Sequence, residues 1–178
     1  MPTIFSHAVF ATVTGKAFLK KGVSGWFWFL TAVCAMIPDA DVLAYSFGAG
    51  RGGMFSHRGF THSIFFAVLF GAFAALIARR FLKAPLSFAR LAVFFSLVTL
   101  SHPLLDMLTN GGSGVALLAP LSGQRFAFPW RPIEVSPIGL RFFSDRGLDV
   151  MVSEFVWVWL PALTILGLSM IVRKGLKK

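Results

Sequence analysis

Four histidines, His7, His57, His62 and His102, lie in or at the edge of apolar stretches of this 178-residue chain, together with three aspartates, Asp39, Asp41 and Asp106. An imidazole or carboxylate in an apolar medium is costly unless something pairs with it, so such residues mark function more often than packing. Imidazole and carboxylate without thiolate suit zinc, manganese or iron. Seven candidates exceed the three or four protein ligands of one catalytic zinc, which admits two or more ions. A shared carboxylate would then bridge metals roughly 3.5–4 Å apart, one supplying a hydroxide nucleophile and the other stabilising a leaving oxygen.

Spacing says how these residues would meet. In Ser101-His102-Pro103-Leu104-Leu105-Asp106 the His and Asp are four apart, on one helical face and within about 6 Å, as a chelating pair requires. A helix-capping polar pair is the equal alternative, with Pro103 in a first turn and Ser101 or His102 ahead of it as a cap. In His57-Arg58-Gly59-Phe60-Thr61-His62-Ser63 two imidazoles flank a glycine turn that leads into an apolar helix, so both rings can face one pocket. Asp39-Ala40-Asp41 directly follows Pro38 and is either a ligand pair or an ordinary helix-ending turn. His7, alone in its segment, is either an interfacial histidine or a ligand. Asp39 and Arg58 are expected to serve the reaction itself; Arg58 is placed to hold a phosphate oxygen, unless it is a solvated loop arginine.

The elements that position these groups are apolar. With 56% hydrophobic and 13% charged residues and a mean hydropathy of +0.76, the expected solvent is lipid and the fold an all-α, polytopic membrane protein. Met1-Pro2-Thr3-Ile4-Phe5 carries no basic stretch or small-residue cleavage site, so the first segment is expected to be retained. Five helical segments are expected, at Thr3–Ala17, Val23–Ile37, Ser63–Ala78, Ala89–Leu100 (interrupted by Pro103) and Leu148–Val172. They form a single domain, 1–178, with a Gly/Pro-rich loop at 107–147 in which Arg125-Phe126-Ala127-Phe128 alternates like a short strand. Cys34 stands alone and reads as a small buried hydrophobe.

Alternating the five segments gathers Lys16, Lys20, Lys21, Arg79, Arg80, Lys83, Arg90, Arg173, Lys174, Lys177 and Lys178 on one side, which the positive-inside rule makes cytoplasmic. The same alternation places every histidine and all three of these aspartates on the outer side, along with the long loop and its Arg125, Arg131, Arg141 and Arg146. Val23–Ile37 and Ala89–Leu100 would rise only about 22 and 18 Å against a hydrocarbon core of roughly 30 Å, sinking the site into the outer leaflet unless the helices continue past their polar ends.

These residues carry a resemblance. His7, Pro38-Asp39-Ala40-Asp41, the His57–Ser63 string, and His102 to Asp106 followed by Leu108-Thr109-Asn110-Gly111-Gly112 resemble the YdjM-like family of predicted membrane-bound metal-dependent hydrolases, over about Thr3 to Leu121. Through it the chain is distantly similar to the zinc-dependent phospholipase C superfamily, whose His-x-x-x-Asp pair would correspond to His102 and Asp106. The resemblance implies metal-dependent hydrolysis, most simply of a phosphoester in a membrane lipid, with zinc as the first expectation. The expected location is a bacterial or archaeal cytoplasmic (inner) membrane, the site facing outward.

Other classes leave weaker traces. There is no His-Glu-x-x-His string for an intramembrane zinc protease. Gly111-Gly112-Ser113-Gly114 superficially resembles a rhomboid serine motif, but no histidine follows His102, and a Gly/Ser turn accounts for it better. A non-catalytic metal-binding scaffold or a metal transporter remains the alternative. A transporter should carry its polar residues near the midplane on paired broken helices. Glu154 alone extends inward, and it is expected to pair with an outer arginine or supplement the metal shell. The net charge of +10 belongs to short turns that would anchor to anionic lipid, not to nucleic acid.

The charge pattern yields a topology test. Single cysteines near Ser56 and Ser122 should react with a membrane-impermeant thiol reagent in intact cells, and those near Lys83 and Lys177 only after lysis. Labelling at Lys83 in intact cells would overturn the orientation.

Overall fold

The computed structural model describes residues 1–19, 22–42, 54, 56–137 and 142–176. They form an all-helical molecule of five helices with no strand among the described residues: α1 Ile4–Phe18, α2 Gly25–Met36, α3 Ile64–Arg80, α4 Phe88–Met107 and α5 Asp145–Gly175. Each of the first four starts at a short hydroxyl side chain that accepts a backbone N–H three residues on. Thr3 takes that of Ser6, Ser24 that of Phe27, Ser63 that of Phe66 and Ser87 that of Arg90. A hydroxyl at this position satisfies one of the four N–H groups that a helix start leaves without an intrahelical partner.

The polar residues of each helix segregate by end. His7 lies in the first half of α1 and Lys16 in its last turn; His62 directly precedes α3, which ends on Arg79 and Arg80. In α4 the order reverses, with Arg90 near the start and His102 and Asp106 near the end. The last turn of α5 carries Arg173 and Lys174, and the Arg173 guanidinium donates to the Ala17 carbonyl, which puts the ends of α1 and α5 side by side. The molecule therefore has a site end and a basic end; Lys20, Lys21, Arg141, Lys177 and Lys178 lie outside the described residues.

Close helix contact is made by small residues. The buried side of α3 is Ala67, Gly71, Ala74, Ala75 and Ala78, and a Cβ on Gly71 would come within 2.3 Å of Ser96 Oγ and 2.4 Å of Ser96 N on α4. Phe27, Cys34 and Ala35 of α2 and Leu91, Phe95 and Val98 of α4 complete this core. Lipid tails are as apolar as leucine, so helices in lipid associate through such close van der Waals packing. Large apolar side chains point outward instead, among them Phe65, Leu69, Leu76, Leu97, Leu168 and Ile171.

Two helices, Phe88–Met107 and Asp145–Gly175, are long and apolar enough to cross a membrane; α1, α2 and α3, at 15, 12 and 17 residues, are shorter than the roughly 20 that a span needs. The expectation that the fourth segment ends near Leu100 is corrected: Pro103 sits inside a 20-residue helix, about 30 Å long. The far turn persists because the loop holds it, with Thr109 N donating to Asp106 O, Ile133 N to Leu108 O and Phe128 N to Met107 O. The strand expected around Arg125–Phe128 reduces to one antiparallel bridge between Val115 and Phe126, and a second, parallel bridge joins Thr109 to Ile133. The loop folds back over the site end: Ala116 N donates to Arg58 O and Ile64 N donates to Leu117 O.

Glu154 is buried in α5, immediately before a π-helical turn at Phe155–Trp159. Among the described residues it meets neither an outer arginine nor the metal shell. Its carboxylate accepts hydrogen bonds from Thr3 N, Thr3 Oγ1 and Ser6 Oγ at 2.5, 2.6 and 2.5 Å, so it ties α5 to the N-terminus of α1, where negative charge is favoured.

The α3–α4 contact makes a contrast measurable. Gly71→Leu should lower thermal stability in detergent by about 1–3 kcal/mol through overpacking, while Gly167→Leu, whose Cβ would meet nothing within 4 Å, should not. Equal melting temperatures for the two variants would contradict the packing described.

Candidate metal centre

Five chain segments deliver the site. His7 comes from α1, Asp39 and Asp41 from the 3-10 turn Ile37–Val42, His57 and Arg58 from the following loop, His62 from the 3-10 turn Phe60–His62, and His102 and Asp106 from α4. Ligand atoms of Asp39, His62, His102 and Asp106 all lie within 4.8 Å of one another, and all four residues are buried. His62 Nε2 is 3.2 Å from His102 Nε2, 3.6 Å from Asp39 Oδ1 and 3.5 Å from Asp106 Oδ2, and His102 Nε2 is 3.3 Å from Asp39 Oδ1.

The tautomers follow from the outer side of each ring. His102 Nδ1 faces the Ala35 carbonyl at 2.7 Å; a carbonyl only accepts, so Nδ1 carries the hydrogen and a neutral His102 turns its Nε2 lone pair inward. His62 Nδ1 lies 3.2 Å from Asp41 Oδ2 and 3.1 Å from Thr61 Oγ1. The Thr61 hydroxyl is already donated to the same Asp41 oxygen, at 2.9 Å. Two acceptors on that side place the hydrogen on Nδ1 and free Nε2 to face the cage. Neither oxygen of Asp39 or of Asp106 has a hydrogen-bond partner. His102, Asp39 and Asp106, with His62 once its Nε2 is free of a proton, thus face one another with lone pairs, an arrangement that favours a cation between them, a proton or a metal ion.

The spacing fits a metal. In a tetrahedron the edge is about 1.6 times the bond, so bonds of 2.0–2.2 Å give edges of roughly 3.3–3.6 Å, and the contacts above run from 3.2 to 3.6 Å. The residues therefore suit a divalent ion in donor type, in orientation and in distance. Both ring N–H groups held by an acceptor, Asp41 for His62 and the Ala35 carbonyl for His102, are the usual outer support of ligating histidines.

Asp41 and His57 stand on the outer side of His62. Asp41 Oδ1 is 2.7 Å from His57 Nδ1, and its Oδ2 accepts Arg58 N at 3.2 Å as well as Thr61 Oγ1 at 2.9 Å. Asp41, His57 and His62 form a second close trio, but its shortest spacing is that of a hydrogen bond, below a tetrahedral edge. Burial pushes the Asp41 carboxyl up, and its hydrogen bonds to His57 and His62 outweigh this and hold it well below the usual carboxylate range. Asp39 follows the same balance, burial opposed and exceeded by His102 and His62. For His62, burial works against charge, yet the carboxylates of Asp106, Asp39 and Asp41 raise its pKa to about 10. The centre attracts positive charge, and a metal ion would compete with a proton for it.

Arg58, expected to hold a phosphate oxygen, is itself held by protein groups at the site. It is buried, with φ at 62°, a left-handed conformation that costs a non-glycine residue energy. Its Nε stands 3.0 Å from Asp106 Oδ2, its Nη1 donates to Gly111 O at 3.0 Å and its Nη2 to Thr109 Oγ1 at 2.9 Å. Three of its five N–H groups thus meet protein acceptors, and the one on Nε braces Asp106. Gly112, at φ 86°, makes room for it, since a Cβ there would come within 2.6 Å of Arg58 Nη1. Arg125, which sequence reasoning left as an outer loop residue, donates to Ser56 Oγ at 3.0 Å and Gly114 O at 3.1 Å, pinning the long loop onto the His57 turn. Only the Gly111-Gly112 pair hinted at these contacts.

His7 is fully buried, stacked on His102 with ring centroids 3.7 Å apart, and its Nε2 is 3.6 Å from Asp106 Oδ1. Neither of its nitrogens has a hydrogen-bond partner.

No solved structure matches the chain. A family described as YdjM inner membrane protein matches residues 1–176. The chain is also similar to the inner membrane protein YbcI of Escherichia coli (strain K12), at 41% identity over 169 residues, covering 94% of this chain and 96% of that protein. Match and relative both extend through the long loop and α5, beyond the stretch whose motifs carried the resemblance, and both are named for the inner membrane. The chain belongs to the YdjM inner membrane protein family.

Proposed function

We propose that this protein is a membrane-embedded, metal-dependent hydrolase acting on a phosphoester or related bond of a membrane lipid. The observation that carries the reading is the convergence of four inward lone pairs, from His62, His102, Asp39 and Asp106, at ligand spacing. On this reading all five helices are embedded, the basic end faces the cytoplasm and the site end faces outward. The three short helices keep the site end low in the outer leaflet, where a lipid ester is nearer to hand than a soluble solute.

Those four residues would hold the ion, zinc being the first expectation for a nitrogen and oxygen set with tetrahedral edges. A divalent ion there would supply Lewis-acid polarisation of a phosphoryl oxygen by taking it as a fifth ligand. The chain's own groups do the rest. Asp41 fixes the His62 ring, the Ala35 carbonyl fixes that of His102, and Arg58 braces Asp106 and offsets part of the carboxylate charge. Asp39 is the most exposed of the four, at 7% against 0% for both histidines and 1% for Asp106. Its Oδ2 is unpartnered and is the atom that would take a proton from water as the water oxygen bonds to phosphorus, and return that proton to the alkoxide as the ester P–O bond breaks. Near-complete burial of four protein donors also favours a second reading, a closed site that holds ion and fold together without catalysis, since catalytic zinc usually keeps a position open.

Metal affinity and turnover separate these. Asp41→Asn should weaken metal binding by roughly 10–100-fold, read by chelator competition on the purified full chain, and His102→Ala should weaken it further. Unchanged affinity in both would remove the metal centre. Metal-loaded wild type should release product from phospholipid vesicles and lose that activity to a chelator. A loaded protein that hydrolyses nothing in a broad lipid panel leaves the scaffold reading.

A further inference from the structure

The start of α5 differs from the rest of it. Asp145, Arg146, Asp149 and Glu154 are charged, whereas Phe155 to Val172 carries no charge before Arg173. That uncharged run rises about 27 Å, close to the roughly 30 Å of a hydrocarbon core. Arg146 and Arg173 lie 27 positions apart on one continuous helix, a rise of about 40 Å. A bilayer measured through its headgroups is roughly 40–45 Å thick. With Arg173 at the headgroups of one leaflet, Arg146 therefore stands at those of the other.

Two adjoining cavities open there. One, of about 420 Å3, is lined by Arg146, Ser144, Ser136, Val135 and Pro137. The other, of about 270 Å3, shares Ser136 and Pro137 with the first, and its wall is otherwise mostly apolar, including Ile4, Phe5, Phe142 and Phe143. A basic chamber thus adjoins an aromatic one, and their order in depth is fixed. Thr3, on the wall of the aromatic chamber, is bonded to Glu154, which lies eight positions and about 12 Å further along α5 than Arg146. The aromatic chamber is on the hydrocarbon side. Among the described residues no carboxylate lines either chamber, and Arg146 is exposed without a hydrogen-bond or ion-pair partner. Phe143 is 83% exposed, a large ring that suits lipid better than water.

We infer that this cleft seats a phospholipid, its phosphate on the Arg146 guanidinium and one acyl chain running past Phe142 and Phe143 into the aromatic chamber. A guanidinium matches the geometry of phosphate oxygens with paired N–H donors. A soluble phosphate ester would leave the aromatic chamber empty, and an apolar peptide would leave Arg146 unanswered. A phospholipid of the outer leaflet fills both, with its head outward and its tail inward as the chambers are ordered. It also gives an arginine a reason to lie on the outer side, against the preference of basic residues for the cytoplasmic face. The inference rests on the reading that the site end lies in a leaflet of the bilayer; it does not require the metal centre, whose four ligands line neither chamber.

Lipid retention tests it. The full chain, purified in detergent, is titrated with phosphatidylglycerol, and bound lipid is counted by native mass spectrometry. Wild type should hold one lipid that neither diacylglycerol, which lacks the phosphate, nor millimolar inorganic phosphate, which lacks the tail, displaces. Arg146→Gln should bind it about tenfold more weakly, Arg146→Lys should recover part of the loss, and Phe143→Ser should also weaken it. Both side chains are exposed, so the variants should keep the wild-type melting temperature. Arg131→Gln, an exposed loop position that lines neither chamber, should bind as wild type. A photoreactive group at the end of the acyl chain should cross-link near Phe5 or Phe142. Equal binding by wild type and Arg146→Gln overturns the inference. So does displacement by inorganic phosphate, which would mean a site for soluble phosphate, and so does cross-linking confined to α3 and α4, which any surrounding lipid would give. A specifically held lipid that the metal-loaded protein never hydrolyses would uphold the cleft and remove the hydrolase reading, so the two fail separately.

Discussion

Four electron-pair donors aimed at one buried point are the constraint from which the rest of the molecule follows. Carboxylates and imidazoles buried without hydrogen-bond partners are unfavourable in a low-dielectric interior, and here Asp39 and Asp106 have none on either oxygen. Nothing local holds them in place: the donors come from α4 and from two 3-10 turns separated by the segment between residues 42 and 60. The fold must therefore supply from outside what the cage cannot supply for itself. It does so with acceptors behind each ring, a guanidinium beside Asp106, and a loop drawn across the site end by Arg125 and by the backbone bonds from Ala116 to Arg58 and from Ile64 to Leu117.

The alanine and glycine surface of α3 contributes to the same end. Pressing α3 against α4 at Gly71 and Ser96 fixes where each helix stands along its neighbour. That register decides whether His62, just ahead of α3, lies level with His102 and Asp106 near the end of α4. A slip of one helical turn, about 5.4 Å, exceeds the whole width of the cage, whose ligand atoms lie within 4.8 Å. Tight packing far from the chemistry is thus a condition for it. Glu154 plays the corresponding part for α1, anchoring Thr3 and Ser6 to α5 one residue before His7.

What was legible in the sequence is what local periodicity encodes. Five apolar segments become five helices, and the i, i+4 spacing of His102 and Asp106 places them on one face, because both follow from 3.6 residues per turn. Pro103 misleads, since the rule that a proline ends a helix ignores a far turn held by hydrogen bonds from residues 109, 128 and 133. The division of seven candidates into a cage, its support and His7 was illegible for a different reason. Histidine and aspartate ligate metals and orient other ligands with the same atoms, and only distance separates the 2.7 Å of His57 to Asp41 from the 3.3 Å of His102 to Asp39. The partners of Arg58 and Glu154 were illegible because they are remote in sequence: Thr109 and Gly111 for the first, Thr3 and Ser6 for the second.

Charge and depth then bear on the proposed chemistry together. The basic end, with Arg79, Arg80, Arg90 and Arg173, is separated from the site end by the length of the helices, so its charge cannot offset that of Asp39, Asp41 and Asp106 at close range. Compensation must come locally, from Arg58, from protons or from metal. Three carboxylates around His62 already raise its affinity for a proton, and the same field favours a divalent ion more strongly, because its charge is doubled. On the proposed reading this is also what admits an anionic phosphoester to a site lined with carboxylates. Were bound cation to exceed the carboxylate charge it meets, a phosphate oxygen approaching Asp39 would encounter net positive charge, and the ion that holds the site together would also attract the substrate.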